Sequence, residues 1–550
     1  MPTTHPWLKK ILYQPNLKQL LNDKLFLEQA ESPKASLQLK LEYIQLRAFY
    51  DFQFFVRFFF PDHCRYDFSP MHADFFEDEQ EPALRGRREA IAAPRGHAKT
   101  TFKVFFKVLH AIVYEYEKFI LIVGHSAPEA EAKVKDILKE LEENELLREV
   151  YGPLAPQKGQ AGWSTKNFVT QNQIRVMAKS RGKQVRGLKH GAYRPTLIVL
   201  DDIESPDKVL SESQRYKTRQ WLEKDILKLG SVDGQANIVV VGTCLHPEAL
   251  LPELLVSPGW RGRKYQAIQQ FSDHPGLWES WRKLYTDLTN AHRVADSDAF
   301  YQENETALLS GTQVLWPEVE PYLSLMKMMV NEGQGSFQSE KQNEPYDPER
   351  QIFNMAQARR FKLVYNEFGL RAGIRFLDGS DRYIPAEHLI KIVAFHDPAM
   401  ANSSESDYAA IVVCASDLNG YLYCLDAYIE KVIPSRQIEQ AFRMHEKWNL
   451  DVLYLESNNF QGILKESYRA KQDMGATLRV KEINQHTNKE KRIASLEPLV
   501  TNGQLLFNED LNPRLISQLT LFPTTHDDGP DALYGAIEPL WKRAGRAFQG

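Results

Sequence analysis

Five short apolar runs recur between residues 85 and 270, with helical stretches between them. They read EAIAA (89–93), KFILIVGHS (118–126), QIRVMA (173–178), PTLIVLDD (195–202) and ANIVVVGT (236–243). Such short continuous runs, rich in β-branched residues and set between helices, indicate strands buried on both faces, in a parallel sheet covered by helices above and below. The pattern predicts an α/β nucleotide-binding architecture over this region, with ligands at the carboxyl ends of its strands.

A second series follows. LIKIVAFHDPA (389–399), YAAIVVCASD (408–417) and GYLYCLDAYIE (420–430) are three strands, and a helix then leads to DVLYLES (451–457). That order predicts a second α/β domain with a mixed sheet. Residues 1–70 read as a helical, aromatic segment, 71–271 as the first domain, 272–388 as a lid or linker and 389–550 as the second domain. Within the linker, GQGSFQSEKQNEPYDPER (333–350) reads as a polar connector. At 550 residues, two or three domains are expected.

The most apolar patch, FQFFVRFFF (52–60), is interrupted by Arg57 and followed by Pro61, so it is expected as a buried helix. No run approaches the ~18 residues of a membrane span, and the amino terminus lacks the apolar core of a secretory signal. Four scattered cysteines form neither a metal-type pair nor a disulfide framework, which points to a reducing cytoplasm. The net charge of −4 is weakly against a general nucleic-acid coat protein, but its distribution matters more. Arg175–Arg194 holds seven basic residues and no acid, and Lys465–Arg492 holds eight against four. Both together fit a polyanionic partner, although a solvated face is the commoner explanation for either alone.

Between the first run and the next helix lies AAPRGHAKTT (92–101). Strand, tight turn and Lys-Thr at a helix start form the context of a phosphate-gripping loop. Ala93 and Ala98 stand where the consensus has glycine, and Ala98 is tolerable there if its φ is negative. Arg95, Gly96, His97, Ala98, Lys99, Thr100 and Thr101 would then cradle ATP, with Lys99 on the β/γ-phosphates and the Thr100 hydroxyl on Mg²⁺. Otherwise this is a strand–helix turn with an exposed lysine. The run RPTLIVLDDIES (194–205) ends in paired acids. Asp201 would hold the metal through water, and Asp202 or Glu204 would orient the attacking water, unless these acids only cap a helix. Thr243, ending the fifth run, is placed to sense the γ-phosphate.

In the second series Asp397 and Glu456 end strands, while Asp528 and Asp531 sit i, i+3 at a helix start. Strand acid, strand acid, helix-start acid is the layout of an RNase H-like nuclease. Two-metal phosphodiester cleavage needs such converging carboxylates.

The ordered set resembles the large terminase subunit, the DNA-packaging motor of tailed bacteriophages. The resemblance rests on Pro94-Arg95-Gly96, Lys99-Thr100, Arg194-Pro195, Asp201-Asp202-Ile203-Glu204, Gly242-Thr243-Cys244-Leu245-His246, DPAMANSSESDYAAIVV, YLESNNFQ, NKEKRI and FPTTHDDGPDAL. It implies that Arg95 contacts phosphate and that Arg186 or Arg194 is an arginine finger on a neighbouring subunit. It places His72 beside the adenine. Asp397, Glu456 and Asp531 become metal ligands with Asp528 as the fourth, and Asp407 matches a recurring position. Lys489, Lys491 and Arg492 would face DNA phosphates. The family further implies Mg²⁺ (with Mn²⁺ as an alternative at the nuclease site), double-stranded DNA, a portal protein, a small terminase subunit and a pentameric ring. Isolated chains are expected as monomers, in the cytoplasm of an infected host and off the membrane. The alternative reading is a helicase-like or repair ATPase with an appended nuclease acting on host DNA; a non-enzymatic scaffold with a degenerate loop is a third.

Overall fold

The computed structural model describes residue 32 and residues 36–547, apart from 83, 157–163, 165, 210, 231–233, 346–351, 381, 400–407, 457–465, 472–476, 486–487 and 524–525. The chain divides into two units. One comprises 1–271, 312–325 and 336–346, and the other 272–311, 326–335 and 347–550.

The first unit carries strands β1 (Arg88–Ala92), β2 (Phe119–Gly124), β3 (Asn167–Val169), β4 (Arg175–Ser180), β5 (Leu197–Asp201), β6 (Asn237–Gly242) and β7 (Arg261–Lys264). They form one sheet in the order β3-β4-β2-β5-β6-β1-β7. All neighbours are parallel except β3 with β4. All five sequence-predicted runs are present, and β2, β5 and β6 are buried along their whole length. Two buried clusters, one on each face, account for the lack of alternation. The short strands β8 (Ile268–Gln270) and β9 (Gln313–Val314) pair separately and antiparallel.

The expected aromatic helix spans Phe52–Phe59. Its buried Phe52, Phe55, Val56 and Phe59 keep the i, i+3, i+4, i+7 spacing of a single face. Asp51 caps it by accepting from Phe54 N–H at 2.8 Å. Among the described residues, no helix is long and apolar enough to cross a membrane.

The second unit has β10 (Arg360–Tyr365), β11 (Arg371–Phe376), β12 (Tyr383–Pro385), β13 (Leu389–Asp397), β14 (Ala409–Asp417), β15 (Leu422–Glu430), β16 (Val452–Glu456), β17 (Val480–Ile483) and β18 (Leu505–Asn508). The order in its mixed sheet is β12-β11-β10-β18-β15-β14-β13-β16-β17. Strands β13, β14 and β15 are antiparallel, whereas β16 is parallel to β13 and β17 to β16. Three strands at 360–385 therefore belong to this sheet, ahead of the series that begins at 389. Their sequence hides this, because β10 exposes Lys362 and Tyr365 and offers no continuous apolar run.

Helix Asp528–Ala547 lies on the sheet through Ala532, Leu533, Ala536, Ile537 and Leu540, which share a cluster with Val393, Phe395, Ala410 and Val412. Gly535 is the point of closest approach: a Cβ there would come within 2.4 Å of the Phe395 ring. The same helix carries Asp531 one turn earlier, so this contact sets the height of that carboxylate above the strand ends. Gly535→Ala is expected to lower stability by about 1–2 kcal/mol, since overpacking outweighs the better helix propensity of alanine. Urea unfolding of the two proteins checks this.

Candidate functional site

In the first unit the loop after β1 is tied to the end of β6, with Ala93 N–H donating to Gly242 O at 3.1 Å. Gly96 has φ 88° and Ala98 φ 57°. The negative φ expected for Ala98 is thus not what the chain adopts. The loop reverses twice before Lys99 opens the helix, and the second reversal falls on a residue with a Cβ. A left-handed alanine costs about 1–2 kcal/mol. Ala93, by contrast, is wholly buried and takes no positive φ.

A cavity of about 450 Å³ lies against this loop, lined by Arg95, Gly96, Ala98, Lys99, Thr100, Thr101, Asp202, Tyr66, Trp316 and Val319. Burial pulls the Lys99 ammonium below its ordinary value, against the opposing pull of Asp202 and Asp201. Thr100 Oγ1 donates to Asp201 Oδ1 at 3.1 Å, and Lys133 Nζ lies 2.6 Å from Asp201 Oδ2. Asp201 is fully buried at the end of β5; its desolvation raises its pKa, and Lys133 counters that rise. Asp202 takes φ 47° and turns into the cavity.

Other expected residues are placed differently. Both Glu204 oxygens accept from Leu250 N–H at 3.1 Å, so this carboxylate caps helix Leu250–Val256 and does not line the cavity. Thr243, half-buried, lines a smaller neighbouring pocket with Asp202 and Glu204. His72, expected beside the adenine, does not line the cavity. Its ring is fully buried, accepts from Ser69 N–H at 3.0 Å through Nδ1, and lies 3.1 Å from His97 O through Nε2. It stacks on Phe102, and burial pushes its pKa down to about 4. The aromatic side chains that do reach the cavity are Tyr66 and Trp316, which meet edge to face. They were not found from sequence, because Trp316 arrives from the distant 312–325 segment. His97 is itself buried, with a pKa lowered to about 4 by desolvation. Arg186 is exposed and paired with Asp225 at 2.5 Å; Arg194 is exposed, and neither lines this cavity.

In the second unit Asp397 and Glu456 end the adjacent parallel strands β13 and β16, whose register pairs His396 with Leu455. Asp531 enters from the first turn of helix Asp528–Ala547. The three carboxylates offer oxygens within 4.8 Å of one another. Burial first, and then Glu456, push Asp397 well above the ordinary carboxylate range. Asp531 is also raised, chiefly by burial, against the pull of Arg492 and Lys489. Asp528, expected as a fourth member, stands outside this group. It accepts from Tyr408 N–H at 3.3 Å and lies 3.6 Å from Lys489 Nζ.

Arg492, expected to face DNA, is buried instead and forks onto both Asp531 oxygens at 2.8 Å. Lys489 lies 2.9 Å from Asp527 and 3.9 Å from Asp531. Lys491 is half-buried. Asp407 falls outside the described residues. Three hard oxygen donors within this radius suit Mg²⁺ or Mn²⁺.

Residues 397–505 match the domain family described as Terminase Bacteriophage T7, Ribonuclease H-like domain. Over these residues the chain is similar to a terminase nuclease domain. The terminase resemblance and the α/β, RNase H-like expectation are borne out. Among the solved structures that align with the chain are three terminases or their nuclease domains. The large terminase from a thermophilic bacteriophage, in complex with ADP, aligns at 10% identity over 86% of this chain and 100% of that one, TM-score 0.43. The human cytomegalovirus terminase nuclease domain aligns at 12% identity over 27% and 82%, TM-score 0.23. The nuclease domain of the large terminase subunit gp2 of bacterial virus Sf6 aligns at 11% over 27% and 87%, TM-score 0.21. No curated protein matches in sequence.

Two outcomes test these geometries. Ala98→Gly is expected to raise stability by up to about 1 kcal/mol, the left-handed strain relieved less the added freedom of the unfolded chain. Gly96→Ala should lower it, and thermal unfolding compares the three proteins. In the second unit, the raised Asp397 means that the folded, metal-free state binds more protons than the unfolded one. Stability therefore falls as pH rises from the ordinary carboxylate range toward the raised value. Metal binding needs the charged form, so Mg²⁺ should restore Tm by an increment that grows over the same window. Asp397→Asn should stabilise the metal-free protein by roughly 1 kcal/mol per pKa unit relieved and abolish the Mg²⁺ increment. An increment that survives the substitution would count against a metal at this cluster.

Proposed function

We propose that this chain is the large subunit of a viral terminase, an ATP-driven translocase of double-stranded DNA joined to a metal-dependent endonuclease. One observation carries the reading: a lysine-threonine phosphate loop faces strand-end acids in one unit, while three acids converge in the other.

In the first unit Lys99 neutralises the β/γ-phosphates, and Arg95, Gly96, His97, Ala98 and Thr101 complete the cradle at the helix start. Thr100 and Asp201 hold Mg²⁺, which supplies charge neutralisation at the phosphates. Asp202 is preferred over Glu204 for orienting the attacking water, because it opens to the cavity while Glu204 is occupied by a helix end. Thr243 relays loss of the γ-phosphate, and Arg186 or Arg194 serves a neighbour's site in a ring of subunits. The motor centres on 71–271 and the nuclease on 389–550; of the segment 272–388, residues 312–325 and 336–346 fall with the first unit and strands β10 to β12 with the sheet of the second.

In the second unit Asp397, Glu456 and Asp531, with Asp528 as the fourth, would hold divalent cations, which would supply the water activation that phosphodiester cleavage needs. Lys489, half-buried at the rim, offers its charge to a phosphate oxygen. The assembled machine acts at a portal, with a small subunit selecting viral DNA, in the cytoplasm of an infected host.

Lys99→Ala should lower ATP turnover by about 100-fold or more while Mn²⁺-dependent plasmid nicking persists. Asp397→Asn should spare turnover and lower nicking by roughly 100-fold. A phosphate-release assay and a nicking assay on one preparation of each protein decide it. Loss of both activities in either variant would contradict two separate centres.

A further inference from the structure

Residues 340–344, Glu-Lys-Gln-Asn-Glu, belong to the run that reads as a polar connector. Three consecutive polar side chains there are nonetheless buried: Lys341 at 3%, Gln342 at 2% and Asn343 at 2% exposure. Each is satisfied by backbone of the first unit. Lys341 Nζ donates to Arg95 O at 2.7 Å and also pairs with Glu320. Gln342 accepts from Ile268 N–H and donates to Ile268 O, both at 2.9 Å. Asn343 Oδ1 accepts from Cys244 N–H at 2.9 Å, and its Nδ2 donates to Tyr265 O at 2.8 Å. Arg95 N–H in turn donates to Glu340 O at 2.9 Å.

This strap grips both loops beside the cavity, the one after β1 and the one after β6. A trans peptide points its carbonyl and the next N–H in opposite directions. By holding Arg95 O from the buried side, Lys341 turns the Gly96 N–H the other way. His72, holding His97 O, does the same for Ala98 N–H. Gly96 and Ala98 are the loop residues with positive φ, and both line the cavity. A left-handed alanine persists only where its surroundings over-determine the backbone.

We propose that the strap is a positioning element for ATP hydrolysis: Lys341 aims the phosphate-loop amides, and Asn343 fixes the turn that follows Thr243. The inference rests on the ATP reading of this site.

The test uses the full chain, a fluorescent ATP analogue and phosphate release. Lys341→Met should weaken analogue binding and raise KM by about tenfold, with a smaller change in kcat. Because that variant strands the Glu320 carboxylate, Lys341→Met with Glu320→Gln is the second protein; its Tm should return toward wild type while KM stays raised. Asn343→Gly keeps the backbone, since φ is 50° there, and should lower kcat by about tenfold with KM within about twofold. Recovery of wild-type KM in the double variant would reduce Lys341 to a counter-charge and overturn the proposal. An unchanged kcat in Asn343→Gly would overturn the Asn343 half. If wild type neither binds the analogue nor releases phosphate, the ATP reading fails and the strap with it. If wild type is active and Lys99→Ala is not, unaltered strap variants sink the strap alone.

Discussion

Parallel pairing of β13 with β16 forces two acids together. Asp397 and Glu456 each follow the last residues paired between these two strands, His396 and Leu455. Burial removes the water that would screen them, so one carboxylate is driven toward its protonated form. The folded domain tolerates this crowding because cations surround it: Arg492 forks onto Asp531, and Lys489 reaches three aspartates. Arg492 is thus buried with its charge directed at Asp531, and within the same basic motif Lys489 is also turned toward acids.

The first unit solves the same problem with other residues. Asp201 is as deeply buried as any acid among the described residues and is balanced by Lys133 from helix Ala127–Glu143 and by the Thr100 hydroxyl. In each unit an acid at a strand end stays in place because the chain supplies its own positive charge nearby. Bound divalent cations would compete with these lysines and arginines, so metal affinity is set partly by what must be displaced.

Much of this was legible in the sequence, for definite reasons. A strand buried on both faces must be apolar throughout, and β2, β5 and β6 are visible on that ground alone. Acids at strand ends are visible because the apolar run stops at them, which is how Asp201, Asp397 and Glu456 stand out. The strap does not show, because Lys341, Gln342 and Asn343 are buried by virtue of hydrogen bonds to backbone 70 or more residues away, and polar composition alone looks like solvent-exposed chain. His72 and Arg492 were assigned by motif position, yet each is turned inward by a partner that the motif does not contain, His97 O and Asp531. Ala98 is subtler still, since a residue's identity does not disclose which side of φ = 0 its neighbours require.

Behind the phosphate loop, the helix that Lys99 opens carries two further lysines. Lys103 is enclosed by Asp78, Glu79 and Glu89, and Lys107 lies 2.6 Å from Glu79. Desolvation alone would discharge Lys103, but the three carboxylates more than reverse it and hold the ammonium well above its ordinary value. Arg261 and Arg263 close the ring of charge on Asp78. Replacing such a network with apolar residues is often neutral, whereas removing one member is costly, about 3–5 kcal/mol, because its partners are left charged and dry. The arrangement therefore contributes specificity more than stability. It fixes the rotation of this helix about its own axis, and with it the direction of Lys99 and Thr100 at the helix start. The loop is strained at Ala98, gripped from the buried side by Lys341 and His72, and anchored below by buried ion pairs.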